Sequence, residues 1–107
     1  MKYNYMSLEK ENDLNKILRS QKARGHSIHI LFHSLWDNNS IKLLEQVQKN
    51  STDSMQRKDP LYGVDSFNMP HSFVIFGTTK SPALVSIERG RVVVEDYLAR
   101  IYKKLRI

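Results

Sequence analysis

The chain contains no cysteine. That excludes disulfides, thiolate zinc sites and cysteine nucleophiles. Glycine and proline are few, four and three, and no repeat, linker or low-complexity segment interrupts the sequence. No apolar run approaches the length that crosses a bilayer. The opening Met-Lys-Tyr-Asn-Tyr-Met-Ser lacks the apolar segment of a secretory signal, so a cytoplasmic location without membrane partners is expected. What is present is a chain of 107 residues, 40% apolar, the size of one domain over residues 1–107 with one core. Its net charge of +6, from 17 basic and 11 acidic residues, admits nucleic acid, an anionic membrane or an acidic partner, and is read first as a solvated basic surface.

Residues 28–48 organise the rest. An apolar run, Ile-His-Ile-Leu-Phe, leads into a polar knot, Trp36-Asp37-Asn38-Asn39-Ser40, and an amphipathic run leaves it. That pattern predicts a buried strand, a tight loop and a helix. Such a loop sits at the carboxyl end of a strand and the amino end of a helix, where chemistry is often placed. In the strand, Ile28, Ile30 and Phe32 point one way and His29, Leu31 and His33 the other, as suits burial on both faces. Asp37, Asn38 or Asn39 caps the helix, with Ile41, Leu44, Val47 and Leu43 as its buried stripe.

Before this stretch, residues 2–6 alternate with period two and predict a peripheral strand. Ser7 with Glu9 and Glu11 suits a helix start, and Leu8, Leu14, Ile17 and Leu18 its apolar face, with Gly25 closing it. After it, residues 50–59 read as a loop and residues 61–65 as a strand. Residues 71–76 read as either a strand or a short helix. Residues 77–82 turn the chain. Residues 83–87 and 91–94 form two strands joined at Glu88-Arg89-Gly90-Arg91, where Gly90 supplies a positive backbone angle. Residues 95–107 predict a helix with Leu98, Ile101, Tyr102 and Leu105 on one face. Glu95 and Asp96 stand at its start, and Lys103, Lys104 and Arg106 at its end.

With this order the chain resembles the thioredoxin superfamily. Trp36-Asp37-Asn38-Asn39-Ser40 occupies the frame of the family's Trp-Cys-x-x-Cys, with Asp37 at the nucleophilic cysteine and Ser40 at the resolving one. Gly77-Thr78-Thr79-Lys80-Ser81-Pro82-Ala83-Leu84 resembles the segment that holds the family's cis-proline, and Glu88-Arg89-Gly90-Arg91-Val92 resembles the hairpin that follows it. The resemblance implies an α/β thioredoxin-like fold, a mixed central sheet of four to five strands flanked by three to four helices. It also implies a cis Ser81-Pro82 bond, for which Pro70 is the rival. The family's buried carboxylate falls on Leu31 and its lysine on the next strand near Leu61. Disulfide exchange needs two thiols, so no thiol-disulfide oxidoreductase activity, catalytic residue, cofactor or metal is expected.

The expected site is therefore a binding groove between Trp36, Asp37, Asn38, Asn39 and Ser40 on one side and Ser81 and Pro82 on the other. In the family, backbone groups before the cis-proline pair with an extended peptide, which needs no cysteine. An unidentified protein or extended peptide is the expected partner. Trp36 is either an exposed binding aromatic or a packing residue, and Asp37 with Ser40 either holds a ligand or caps the helix. A metal site from His29, His33, His71 and Asp37, and a Ser40-His33-Asp37 triad, match no ligand spacing or oxyanion motif. The alternative function is a basic nucleic-acid-binding accessory domain built on Arg100, Lys103, Lys104 and Arg106; no stacking signature accompanies that cluster.

Overall fold

The computed structural model describes residues 3–24, 27–50, 59–67, 69, 76 and 81–107. Five strands run along them, β1 (Tyr3–Leu8), β2 (Ile28–His33), β3 (Asp59–Asp65), β4 (Ala83–Glu88) and β5 (Arg91–Glu95), with helices α1 (Glu11–Arg24), α2 (Asn38–Asn50) and α3 (Leu98–Leu105). Gly25, the polar stretch 51–58, most of the ambiguous segment at 71–75 and the first part of the expected turn, 77–80, lie outside the described residues.

The strands form one mixed sheet in the order β1-β3-β2-β4-β5. β1, β3 and β2 are mutually parallel. β4 runs antiparallel to β2 and β5 antiparallel to β4. The parallel part requires cover on both faces, and β2 at the centre is buried along its full length. Its alternation sorts the core into two layers. Ile28, Ile30 and Phe32 pack with Leu14 of α1, Val64, Ala83, Val85 and Ile87. Leu31 packs on the other side with Leu43 and Val47 of α2, Leu61, Leu84, and Ile101 and Leu105 of α3.

Two glycines have a specific task. Gly63 lies directly beneath the Tyr5 ring, and a Cβ there would collide with the ring and its hydroxyl. Gly90 (φ 79) follows Arg89 (φ 51) in the β4–β5 turn, the pair of positive angles that a two-residue hairpin of matching twist requires.

Three sequence expectations are corrected. Ser7 is not a helix start: parallel pairing with β3 carries β1 on through Leu8, whose side chain joins the core. α1 begins after Lys10, whose carbonyl accepts the N–H groups of Asp13 and Leu14. Glu95 likewise belongs to β5, opposite Leu84, and its carboxylate accepts the Tyr97 N–H at 3.1 Å, so α3 begins at Leu98 without acidic residues in its first turn. At these residues strand pairing prevails over helix-start chemistry. The stripe of α2 is also rotated. Ser40, Leu43 and Val47 are its buried residues, and Ile41 and Leu44 are half-buried.

Candidate functional site

α2 is capped where it leaves the loop after β2. Residues 34–37 turn sharply, with the Asp37 N–H reaching the Ser34 carbonyl at 3.4 Å and the Trp36 N–H reaching Ser34 Oγ at 3.2 Å. Asp37 is the cap of the three candidates. Its Oδ1 accepts the Asn39 N–H at 3.1 Å and its carbonyl accepts the Ile41 N–H at 3.0 Å. The carboxylate meets the partial positive charge of the helix start.

Asp37 Oδ2 also accepts the Ser40 hydroxyl at 3.2 Å. Ser40 Oγ lies 2.8 Å from Ser81 Oγ. A hydroxyl has one hydrogen to give. Since Ser40 donates to Asp37, Ser81 donates to Ser40, and a chain Ser81–Ser40–Asp37 ties the start of α2 to the entry of β4. The Ser81-Pro82 bond is cis and Pro82 is buried. The structure thus brings Asp37, Ser40, Ser81 and Pro82 together, with Asn38 and Asn39 exposed on the first turn of the helix.

Trp36 is 83% exposed. Its ring faces Phe67, itself 69% exposed, at 6.4 Å between centroids and 58° between planes. Leu35 beside it is also exposed. The turn after β3 brings Phe67 there. Ser66 donates through its N–H and hydroxyl to the His33 carbonyl, at 2.8 and 3.1 Å, and the Phe67 N–H reaches Asp65 Oδ1 at 2.9 Å. Sequence reasoning missed Phe67 and Leu35. The available signal was a large apolar residue in a polar turn, Ser66-Phe67-Asn68, where burial is not the default.

Of the described histidines, His29 and His33 do not assemble a site. His29 Nδ1 bonds Ser86 Oγ at 2.8 Å on the inner strands. Both ring nitrogens of His33 are buried with no hydrogen-bond partner, so His33 touches neither Ser40 nor Asp37 as an acid-base partner. No Ser40-His33-Asp37 triad forms. His71 lies outside the described residues, and among the described residues no three metal-binding side chains converge.

His33 carries its own consequence. Burial pushes its imidazole below the ordinary value of 6.5, with Asp65 opposing the shift. The unfolded chain therefore takes up this proton first. The stability held by the neutral ring is complete above that ordinary value and is lost as pH falls from it through the folded-state value. His33→Leu removes two unsatisfied buried atoms and should raise stability by about 1–3 kcal/mol. Urea midpoints at neutral and mildly acidic pH check both parts: the variant should exceed the wild type at each, and by more in acid.

No family model matches the chain, and no curated protein matches it. Solved thioredoxins do match it in three dimensions. One from Nicotiana alata superposes with a TM-score of 0.76 at 16% identity, over 99% of this chain and 93% of that one. The thioredoxin of Fasciola hepatica gives 0.71 at 17% identity over 94% and 95% of the two chains. That of Plasmodium falciparum gives 0.70 at 18% over 99% and 88%. The chain therefore has the thioredoxin fold, and at the junction of β2 and α2 it carries Asp37 and Ser40 and no cysteine.

Proposed function

We propose that the protein is a redox-inactive, non-catalytic binding module that takes an extended peptide in the groove between residues 36–40 and the Ser81-Pro82 turn. Without cysteine the chain has no thiolate to attack a disulfide and no second thiol to resolve one. The observation that carries the reading is the exposure of Trp36 against Phe67, with Leu35 adjacent. Three large apolar side chains left in water at the rim of a polar groove are the composition of an interface centre, where aromatic residues supply most of the binding energy. Asp37 is occupied as a helix cap and Ser40 by Asp37 and Ser81, so the polar atoms of the groove position its walls, and the aromatic rim supplies affinity.

Selection of peptides from a random displayed library, followed by calorimetry, tests this. Selected peptides should be extended and apolar at one or two positions. They should lose at least about tenfold in affinity on Trp36→Ala, the scale of one aromatic anchor. Because Trp36 is the sole tryptophan, its fluorescence should shift on binding to the wild type. Peptides that bind Trp36→Ala and Pro82→Ala as tightly as the wild type would place recognition elsewhere.

A further inference from the structure

Among the described residues, the edge of the sheet opposite β1 is unpaired and reads Arg91-Val92-Val93-Val94-Glu95. Natural edge strands are commonly protected by bulges, prolines or charges that repel a like neighbour. This one is three β-branched residues between one cation and one anion. Val92 and Val93 are 48% and 41% exposed, and Arg91 is exposed.

The hairpin fixes which backbone groups point outward. Glu88 and Arg91 close a two-residue turn. The closing pair of such a hairpin exchanges backbone hydrogen bonds, and bonded pairs then alternate along the ladder. Arg91, Val93 and Glu95 therefore direct their backbone groups at β4. Val92 and Val94 direct theirs away from the sheet.

We propose that two copies of this chain associate through β5, antiparallel and two-fold symmetric about Val93, so that the five-stranded sheet of one copy continues into that of the other. This register sets Val92 of each copy opposite Val94 of the other. Both residues point outward, so they form the hydrogen-bonded pairs of an antiparallel ladder. A slip of one residue sets outward groups against inward ones and forms no ladder. The same register sets Arg91 opposite Glu95 at both ends. A slip of two residues in either direction separates those charges, and a parallel arrangement sets like charges together. Within residues 91–95 the strand is thus complementary in sign to itself in this orientation and register.

The side chains agree with the backbone. Arg91, Val93 and Glu95 share the face of Glu88, Ser86 and Leu84, while Val92 and Val94 share that of Ile87 and Val85. In the pair, two Arg91–Glu95 contacts flank a Val93–Val93 contact on one face, and two Val92–Val94 contacts cover the other. Cross-strand pairs of these types are stabilising when directly opposed. The register also carries the basic hairpin turn at Arg89 toward Asp96 and the exposed Tyr97 of the second copy. A single five-residue strand buries an area at the small end of specific interfaces, so the dimer is reversible, with dissociation at about 10–500 μM.

Sedimentation velocity of the full chain over a concentration series to about 1 mM tests this. The wild type should pass from monomer to dimer. Arg91→Glu and Glu95→Arg should each weaken self-association about tenfold, because each sets like charges opposite one another at both ends. An equimolar mixture of the two variants should form heterodimers about as well as the wild type, since every like-charge pair becomes an opposite pair. That recovery also shows that neither variant has lost its fold. A chain that stays monomeric throughout overturns the proposal. So does a dimer indifferent to both reversals, a mixture that does not recover, or a dimer that dissociates only on Trp36→Ala.

Discussion

Replacing Leu31 with aspartate should cost about 3–5 kcal/mol at neutral pH, a large part of the stability of a domain this size. Leu31 has no exposure and packs with Leu43, Val47, Leu61, Leu84, Ile101 and Leu105, with Tyr5 and Tyr102 at the margin of this layer. The thioredoxin pattern places a buried carboxylate at this position and a lysine near Leu61. Here both are leucine, and Leu61 is as fully buried as Leu31. Buried among these leucines, Val47 and Ile101, a carboxylate would be held protonated well above its ordinary range. The sign of the pH dependence follows. A carboxyl whose folded-state value is raised is least damaging below its unfolded value and most damaging once pH has risen through the folded one. Urea unfolding of Leu31→Asp should thus show a deficit that shrinks in acid, whereas Leu31→Asn should show one independent of pH. Wild-type stability of Leu31→Asp at neutral pH would mean that water or a polar partner reaches the inner end of the site.

The apolar replacement of both groups matters for how the site is read. A thioredoxin fold without thiols but with the buried acid and lysine would be two substitutions from a redox scaffold. With Leu31 and Leu61 at those positions, the inner end of the site is ordinary core. What remains of the site is its outer part: the helix cap, the serine chain to Ser81, the cis Ser81-Pro82 bond and the exposed aromatics.

Features carried by consecutive residues were legible in the sequence. β2 declared itself by an apolar run with histidines on one face, and the β4–β5 hairpin by Gly90 between two β-branched runs. The junction at Trp36-Asp37-Asn38-Asn39-Ser40 is likewise contiguous, so its place at the start of α2 could be read. Boundaries set by pairing partners were not legible. Ser7 and Glu95 carry good helix-start chemistry, yet each lies in a strand because Gly63 and Leu84 stand opposite. The inward face of α2 includes Ser40, which meets Ser81 across the fold, besides the expected Leu43 and Val47, whereas apolarity alone also favoured Ile41 and Leu44. Phe67 met Trp36 through a turn whose geometry rests on the His33 carbonyl. No periodicity encodes that contact, nor the unsatisfied ring of His33.

Converting Asp37 and Ser40 together to cysteine should create a reversible intramolecular disulfide where none exists. The two side chains already meet at 3.2 Å across the first turn of α2. A bridge at this spacing therefore asks for little backbone movement. The thiolate introduced at position 37 would take over the carboxylate's place at the helix start, accepting the Asn39 N–H and facing the helix dipole. Its pKa should consequently fall below the ordinary thiol value of about 8.5, which the pH dependence of its alkylation reads directly. The thiol at position 40 should be shielded, as Ser40 is buried. Mild oxidation should remove both free thiols, and reductant should restore them, with no intermolecular disulfide formed. Catalysis of disulfide exchange should nevertheless stay slow, because Leu31 can neither accept nor relay a proton behind the buried thiol. The single variants separate the contributions: Asp37→Cys should alkylate fast at neutral pH, and Ser40→Cys slowly. Two thiols that persist under oxidant in the folded double variant would mean that the start of α2 does not hold these side chains in the thioredoxin arrangement.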